Sequence, residues 1–216
     1  MARFKSVILA ASLLAFTTST PLALAQSASA TWSQDETVRV VKDVQKKISS
    51  LTSYAVFDWI TFGIKGKTII LRGYASRPVL KSDAERAVKS ISGVEGVDNE
   101  IQVLPYSPND DRVRAAVYNR IYTSSSLRMY NANQGSLGRA IGPGAGVALA
   151  AGGITNTPPL GYHAIHIIVN NGNVTLYGAV NNSSDAAIAG MQANSAPGAF
   201  SVNNELVVAG APKKGK

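Results

Sequence analysis

Ile69-Ile70-Leu71-Arg72-Gly73 and Val174-Thr175-Leu176-Tyr177-Gly178 are one short pattern written twice, 105 positions apart. Each alternates apolar residues and ends on glycine, as a half-buried strand does where it meets a bend. The offset persists downstream: Gly93 meets Gly198, and Val97-Asp98-Asn99-Glu100-Ile101-Gln102-Val103 meets Val202-Asn203-Asn204-Glu205-Leu206-Val207-Val208. Two gapless blocks sharing one offset argue for an internal duplication. Upstream, Val40, Val44 and Ile48 match Val113, Val117 and Ile121 at an offset of 73, so the second copy carries 32 additional residues between its first helix and its first strand.

Each copy reads as helix, strand, strand, helix, strand. In the first, Val40, Val41, Val44, Ile48 and Leu51 recur at helical spacing behind Asp35 and Glu36, acids suited to a helix N-terminus. Ile60, Phe62 and Ile64 alternate, and Ile69 and Leu71 follow a turn at Lys65-Gly66-Lys67. Pro78 suits a first helical turn; Leu80, Ala84, Ala87, Val88 and Ile91 make one apolar face that stops before Gly93. The last strand comes from Val97, Ile101 and Val103. The fold class is α+β: two αββαβ domains, each a small three-stranded sheet covered by two helices on one face. A unit of this size is marginal alone, so packing two copies together helps both. In the second copy, strand alternation assigns His166, Ile168, Thr175, Tyr177 and Val207 to the uncovered sheet face. That face is expected to meet the first copy or to fold under the insertion.

The order of elements, the strand ending at Gly178, and the closing Gly-Val-x-x-Val-x-Asn-x-Ile-x-Val of Gly93 to Val103 resemble the BON domain of osmotically inducible and nodulation proteins of bacteria. The resemblance covers nearly the whole chain behind its first 25 residues. It implies the αββαβ fold, no enzymatic activity, and a role in envelope maintenance through anionic phospholipid or chaperone-like protection of envelope proteins. One departure stands out. Where lipid-binding relatives present basic and aromatic residues around the second helix, this chain has Ser183-Ser184-Asp185-Ala186-Ala187-Ile188-Ala189-Gly190-Met191, without a cation.

Arg3 and Lys5 precede an apolar run from Val7 to Phe16, and Ala23-Leu24-Ala25 is a small-residue cleavage pattern. Residues 1–25 therefore read as a secretory signal peptide cleaved after Ala25, with a core shorter than the roughly 20 residues of a membrane-spanning helix. The expected address is the periplasm. The remaining divisions are a linker at 26–34, a first domain at 35–105, a second at 106–210 with its insertion at about 131–162, and a basic tail at 211–216.

Composition narrows the function classes. The 216 residues include 21 Lys and Arg, 13 Asp and Glu, two His and no Cys, for a formal net charge of +8. Without cysteine there is no disulfide framework, thiolate metal site or thiol nucleophile. Removing the signal peptide lowers the charge to +6, of which +2 lies in residues 26–105, +1 in 106–210 and +3 in Lys213, Lys214 and Lys216. Export sets aside a nucleic-acid partner, and no small-molecule substrate or cofactor is indicated.

Basic residues nevertheless cluster. Arg39, Lys42, Lys46 and Lys47 lie along the first helix, and Arg77, Lys81, Arg86 and Lys89 on or before the second. A solvated helix face is the plainer reading, and Glu85 stands i,i+4 from Lys89. The functional reading makes these cations and the tail lysines a surface for anionic headgroups.

A second candidate set suits a protein partner: His166, Ile168 and Tyr177 on the open sheet face, with Val147 and Leu149 in the insertion. Ala140 to Ser184 contains no charged residue, and its Gly-rich start reads as a loop. His163 and His166 are three apart in a strand, point to opposite faces and cannot share a metal. Gly66-Lys67-Thr68 lacks the earlier glycine of a phosphate loop, and no Gly-x-Ser-x-Gly occurs.

Overall fold

The computed structural model describes residues 31–130, 154–156, 158, 159 and 163–210. Residues 1–25, expected to be a signal peptide, most of the insertion with Val147 and Leu149, and the tail with Lys213, Lys214 and Lys216 lie outside the described residues.

The first domain runs α1 (Gln34–Ser49), β1 (Trp59–Lys65), β2 (Thr68–Ala75), α2 (Pro78–Lys89), β3 (Gly96–Asn99) and β4 (Gln102–Val103). The second runs α3 (Pro108–Thr123), β5 (Ile165–Asn170), β6 (Asn173–Val180), α4 (Ser183–Asn194) and β7 (Ser201–Val208). A short 3-10 turn at Arg128–Tyr130 follows α3. In both sheets an antiparallel hairpin is joined by a parallel last strand, β1-β2-β3 and β5-β6-β7. The helix pair of each domain covers one sheet face.

Local chemistry sets the helix starts. Ser33 caps α1 by accepting from Glu36 N–H, and the Glu36 carboxylate accepts from Ser33 N–H in return, a closed capping box. Ser107 and Asn182 cap α3 and α4 the same way on one side, whereas α2 relies on Pro78 in its first turn. Val40, Val44 and Ile48 of α1 meet Leu80, Ala84 and Val88 of α2 over Ile69 and Leu71 of β2, all buried.

The glycines that end the repeated strand pattern have a steric reason. Gly73 and Gly178 sit at φ +122° and +126°, and a Cβ there would lie 2.0 Å from the Trp59 carbonyl oxygen or 1.9 Å from that of Ala164. Only glycine lets the neighbouring strand approach so closely.

One expectation changes. The last strand of the first domain is split into β3 and β4, both on β2, so its sheet has four strands. At the break the Asn99 side chain turns inward, donating to Lys81 O and Glu85 and accepting from Ile101 N–H, and Ile101 stays in the core. Glu85 is thereby engaged by Asn99 at 3.0 Å, and among the described residues no ion pair joins it to Lys89.

Candidate interaction surfaces

The turn between α1 and β1 carries the chain of the first domain into the second. Ala55 C=O accepts from Asp58 N–H, making a tight turn with Val56 and Phe57 at its tip. Both tip side chains are buried in the core of the second domain, where Phe57 meets Tyr118 edge-on at 6.4 Å. Val56 C=O accepts from Ile167 N–H at 2.8 Å, so the outer edge of β5 is closed by a residue of the other domain.

Asp58 holds this turn. Its carboxylate is fully buried and accepts from Ala55 N–H at 2.8 Å, Ser76 N–H at 2.6 Å and Ser76 Oγ at 2.7 Å. Burial raises its pKa, against the pull of those donors and the nearby Arg77 charge.

Behind the turn, aromatic rings join the two sheets. Trp59 stacks on Tyr177 at 5.5 Å, Tyr74 lies 6.3 Å from Tyr177, and His166 sits 5.3 Å from Tyr54 and 5.2 Å from Trp59. Burial pulls the His166 imidazole down to about 4 and pushes the Tyr54 hydroxyl up. The open sheet face of the second copy thus meets the first. His166 and Tyr177 are committed to that contact and Ile168 is buried, so the three do not form a free partner surface, while Val207 stays exposed. A cavity of about 380 Å³ remains beside Trp59, His163, His166 and Glu205.

The His163 ring, though its residue borders that cavity, packs into the second core, within 3.0 Å of the Tyr118 hydroxyl and edge-on to Tyr122. Among the described residues no cluster of His, Asp and Glu is arranged to hold a metal.

A buried polar network, not expected from sequence, anchors α3. Arg114 is 1% exposed and donates to Asp111 at 2.9 Å, Thr155 at 3.0 Å and Val169 C=O at 2.8 Å, while Thr155 also donates to Asp111. Asp110 accepts from Asn171 and Gly172 N–H at the β5–β6 turn. The one available signal was that Arg114 occupies the position of Val41 in the first copy.

The basic candidates divide. Arg39, Lys42, Lys46 and Lys47 are exposed on α1, and among the described residues none forms a salt bridge, although the Arg39 charge helps to lower the Glu36 pKa. Lys89 is exposed, Lys81 half-buried, and Arg86 is paired with Asp83 at 3.2 Å. Arg77 is a correction. Its guanidinium turns inward to Ser53 C=O at 2.8 Å, where it secures the α1–β1 connection and presents no headgroup contact. Lys42 and Lys46 also border an open groove of about 1100 Å³ between α1 and β1. Among the described residues no helix is long and apolar enough to cross a membrane.

Comparison with known proteins agrees with this architecture. A BON domain family model matches residues 63–105 and again 153–210. Two structures of CdsD, a structural protein of the type III secretion system of Chlamydia trachomatis, are also similar. One is 16% identical, covering 79% of this chain and 92% of that chain at a TM-score of 0.24. The other, the C-terminal domain, is 14% identical, covering 81% and 98% at 0.25. Scores this low support no argument about function. No curated protein matches by sequence. The BON domain is a non-enzymatic kind of fold associated in general with envelope and phospholipid roles. Two family matches falling on two repeated αββαβ units place this chain in the BON-domain family, as a tandem BON-domain protein.

Proposed function

We propose that the protein is exported by residues 1–25, works in the periplasm without enzymatic activity, and associates with anionic phospholipid surfaces through the outer face of α1. The observation that carries this reading is a contrast in pairing. Lys67, Arg72, Arg86 and Arg114 each hold an acid, at 2.6 to 3.2 Å, whereas Arg39, Lys42, Lys46 and Lys47 stand exposed together on one helix with no salt bridge among the described residues, although the Arg39 charge is felt by Glu36. Each cation near an anionic surface contributes about 1 kcal/mol, and salt screens it. The charge-poor α4 supports placing the contact on the first domain.

Sedimentation of the mature chain with phosphatidylglycerol-containing vesicles tests this reading. Binding is expected to fall at high salt and to be lost in an Arg39→Glu/Lys47→Glu variant. Equal sedimentation with neutral phosphatidylcholine vesicles would refute it. Protein capture through the second sheet face loses support, because the first domain covers much of that face.

A further inference from the structure

The two domains differ at one place that their repeat makes equivalent. In the second domain the space between α3 and the outer edge of β5 is filled. Arg114 donates to Val169 C=O and Tyr122 Oη to Ile165 C=O at 2.6 Å, Tyr118 lies between them in sequence, and the Val56-Phe57 tip closes over the strand. The repeat puts Val41, Gln45 and Ser49 where Arg114, Tyr118 and Tyr122 stand, and Phe62 where Ile167 stands. Those three shorter side chains make no such bonds to β1, and the same space is the open groove of about 1100 Å³, with Ile48, Ile60 and Phe62 in its lining.

The backbone there is also open. The two-residue turn between Lys65 and Thr68 sets the alternation of the β1–β2 ladder, so Ile60, Phe62 and Ile64 turn their N–H and C=O groups toward the outer edge, where the Tyr54 side chain hydrogen-bonds the Ile60 backbone and leaves the edge free from Phe62 onward. Phe62 has no partner for either among the described residues. A free strand edge beside an apolar groove is a template for an added chain.

We propose that this groove docks an acidic loop of a partner protein whose tip carries an adjacent aliphatic and aromatic residue. The partner supplies in trans what Val56 and Phe57 supply to the second domain in cis. A tip carbonyl accepts from Phe62 N–H as Val56 accepts from Ile167. The aromatic ring fills the space over Gln45 and Ile48, and acidic flanks meet Lys42 and Lys46 on the rim. The inference shares Lys42 and Lys46 with the membrane-surface reading but rests on the groove and the strand edge, and the first arm of its test contains no lipid, so the two can fail separately.

The probe is a cyclised peptide copying residues 53–59 with two added Glu, compared with the same ring carrying two added Lys, titrated by fluorescence anisotropy into the mature chain. The acidic ring is expected to bind saturably and about tenfold more tightly than the basic one. Gln45→Trp, at an exposed position, fills the groove and is expected to weaken the acidic ring about tenfold or more. Lys42→Glu/Lys46→Glu, also at exposed positions, is expected to abolish the preference between rings. Absence of saturation, or unchanged binding by Gln45→Trp, overturns the proposal. So does a second arm in which Gln45→Trp lowers sedimentation with phosphatidylglycerol vesicles but leaves peptide binding intact, because the groove then takes acyl chains.

Discussion

The indole of Trp59 and the ring of Tyr177 lie 5.5 Å apart with planes 3° from parallel, one ring from each domain. Sheet faces that would each be open in an isolated repeat are joined there, and the joint has its own energetics. Stacked pairs contribute about 0.5–1.5 kcal/mol beyond the area they bury. A double-mutant cycle of Trp59→Ala and Tyr177→Ala in urea unfolding is expected to show coupling of about that size. Zero coupling would mean that the domains do not rest on each other through these rings.

The same joint makes stability depend on acidity. His166 titrates at about 4 in the folded chain against 6.5 for a free imidazole, so the unfolded chain binds its proton first as pH falls. The stabilising contribution is therefore complete above 6.5 and is lost between 6.5 and about 4. That loss amounts to at most ~3 kcal/mol. Asp58, with its raised pKa, acts in the opposite direction. Subtracting the stability of His166→Phe from that of the wild type at each pH isolates the imidazole, and a flat difference across the window would contradict its burial as a neutral ring.

Arg114 and Asp111 are a buried pair whose halves depend on one another. Arg114→Met strands the Asp111 carboxylate and is expected to cost about 3–5 kcal/mol in chemical denaturation. Arg114→Met combined with Asp111→Leu should cost less, because no buried charge is then left alone. A double variant as unstable as the sum of the singles would show that the two do not act as a unit.

Gly73→Ala and Gly178→Ala place a methyl group against a backbone carbonyl at a φ near +120°. Each is expected to destabilise by more than about 3 kcal/mol, and far more than Gly63→Ala, whose added Cβ meets open space. Thermal unfolding of the three variants provides the comparison.

The duplication, the element order and the covered second sheet were legible because strand alternation and helical spacing are periodic signals. The capping box at Ser33 and Glu36 was equally written in the chain, although the acids alone drew attention. The interruption at Glu100 and Ile101 was not legible. Asn204, at the matching position, donates to Ala186 C=O and accepts from Leu206 N–H just as Asn99 donates to Lys81 C=O and accepts from Ile101 N–H, and the second copy still keeps a continuous strand, so the residue at this position does not distinguish the two copies. Arg77 read as a surface cation because nothing local says that Ser53 C=O waits 2.8 Å away. The hardest feature was the turn at Val56 and Phe57. A dipeptide between a helix and a strand has no period, and its burial is decided by a core that begins some fifty residues later.

That turn separates the repeat from the folding unit. Residues 106–210, expressed alone, would retain every helix and strand of their copy yet lack two side chains of their own core and the carbonyl that covers Ile167. The gene duplicated a module, but the protein no longer divides at the seam. Because Val56 and Phe57 precede the core they complete, the second copy can finish folding only around a piece of chain that was made before it.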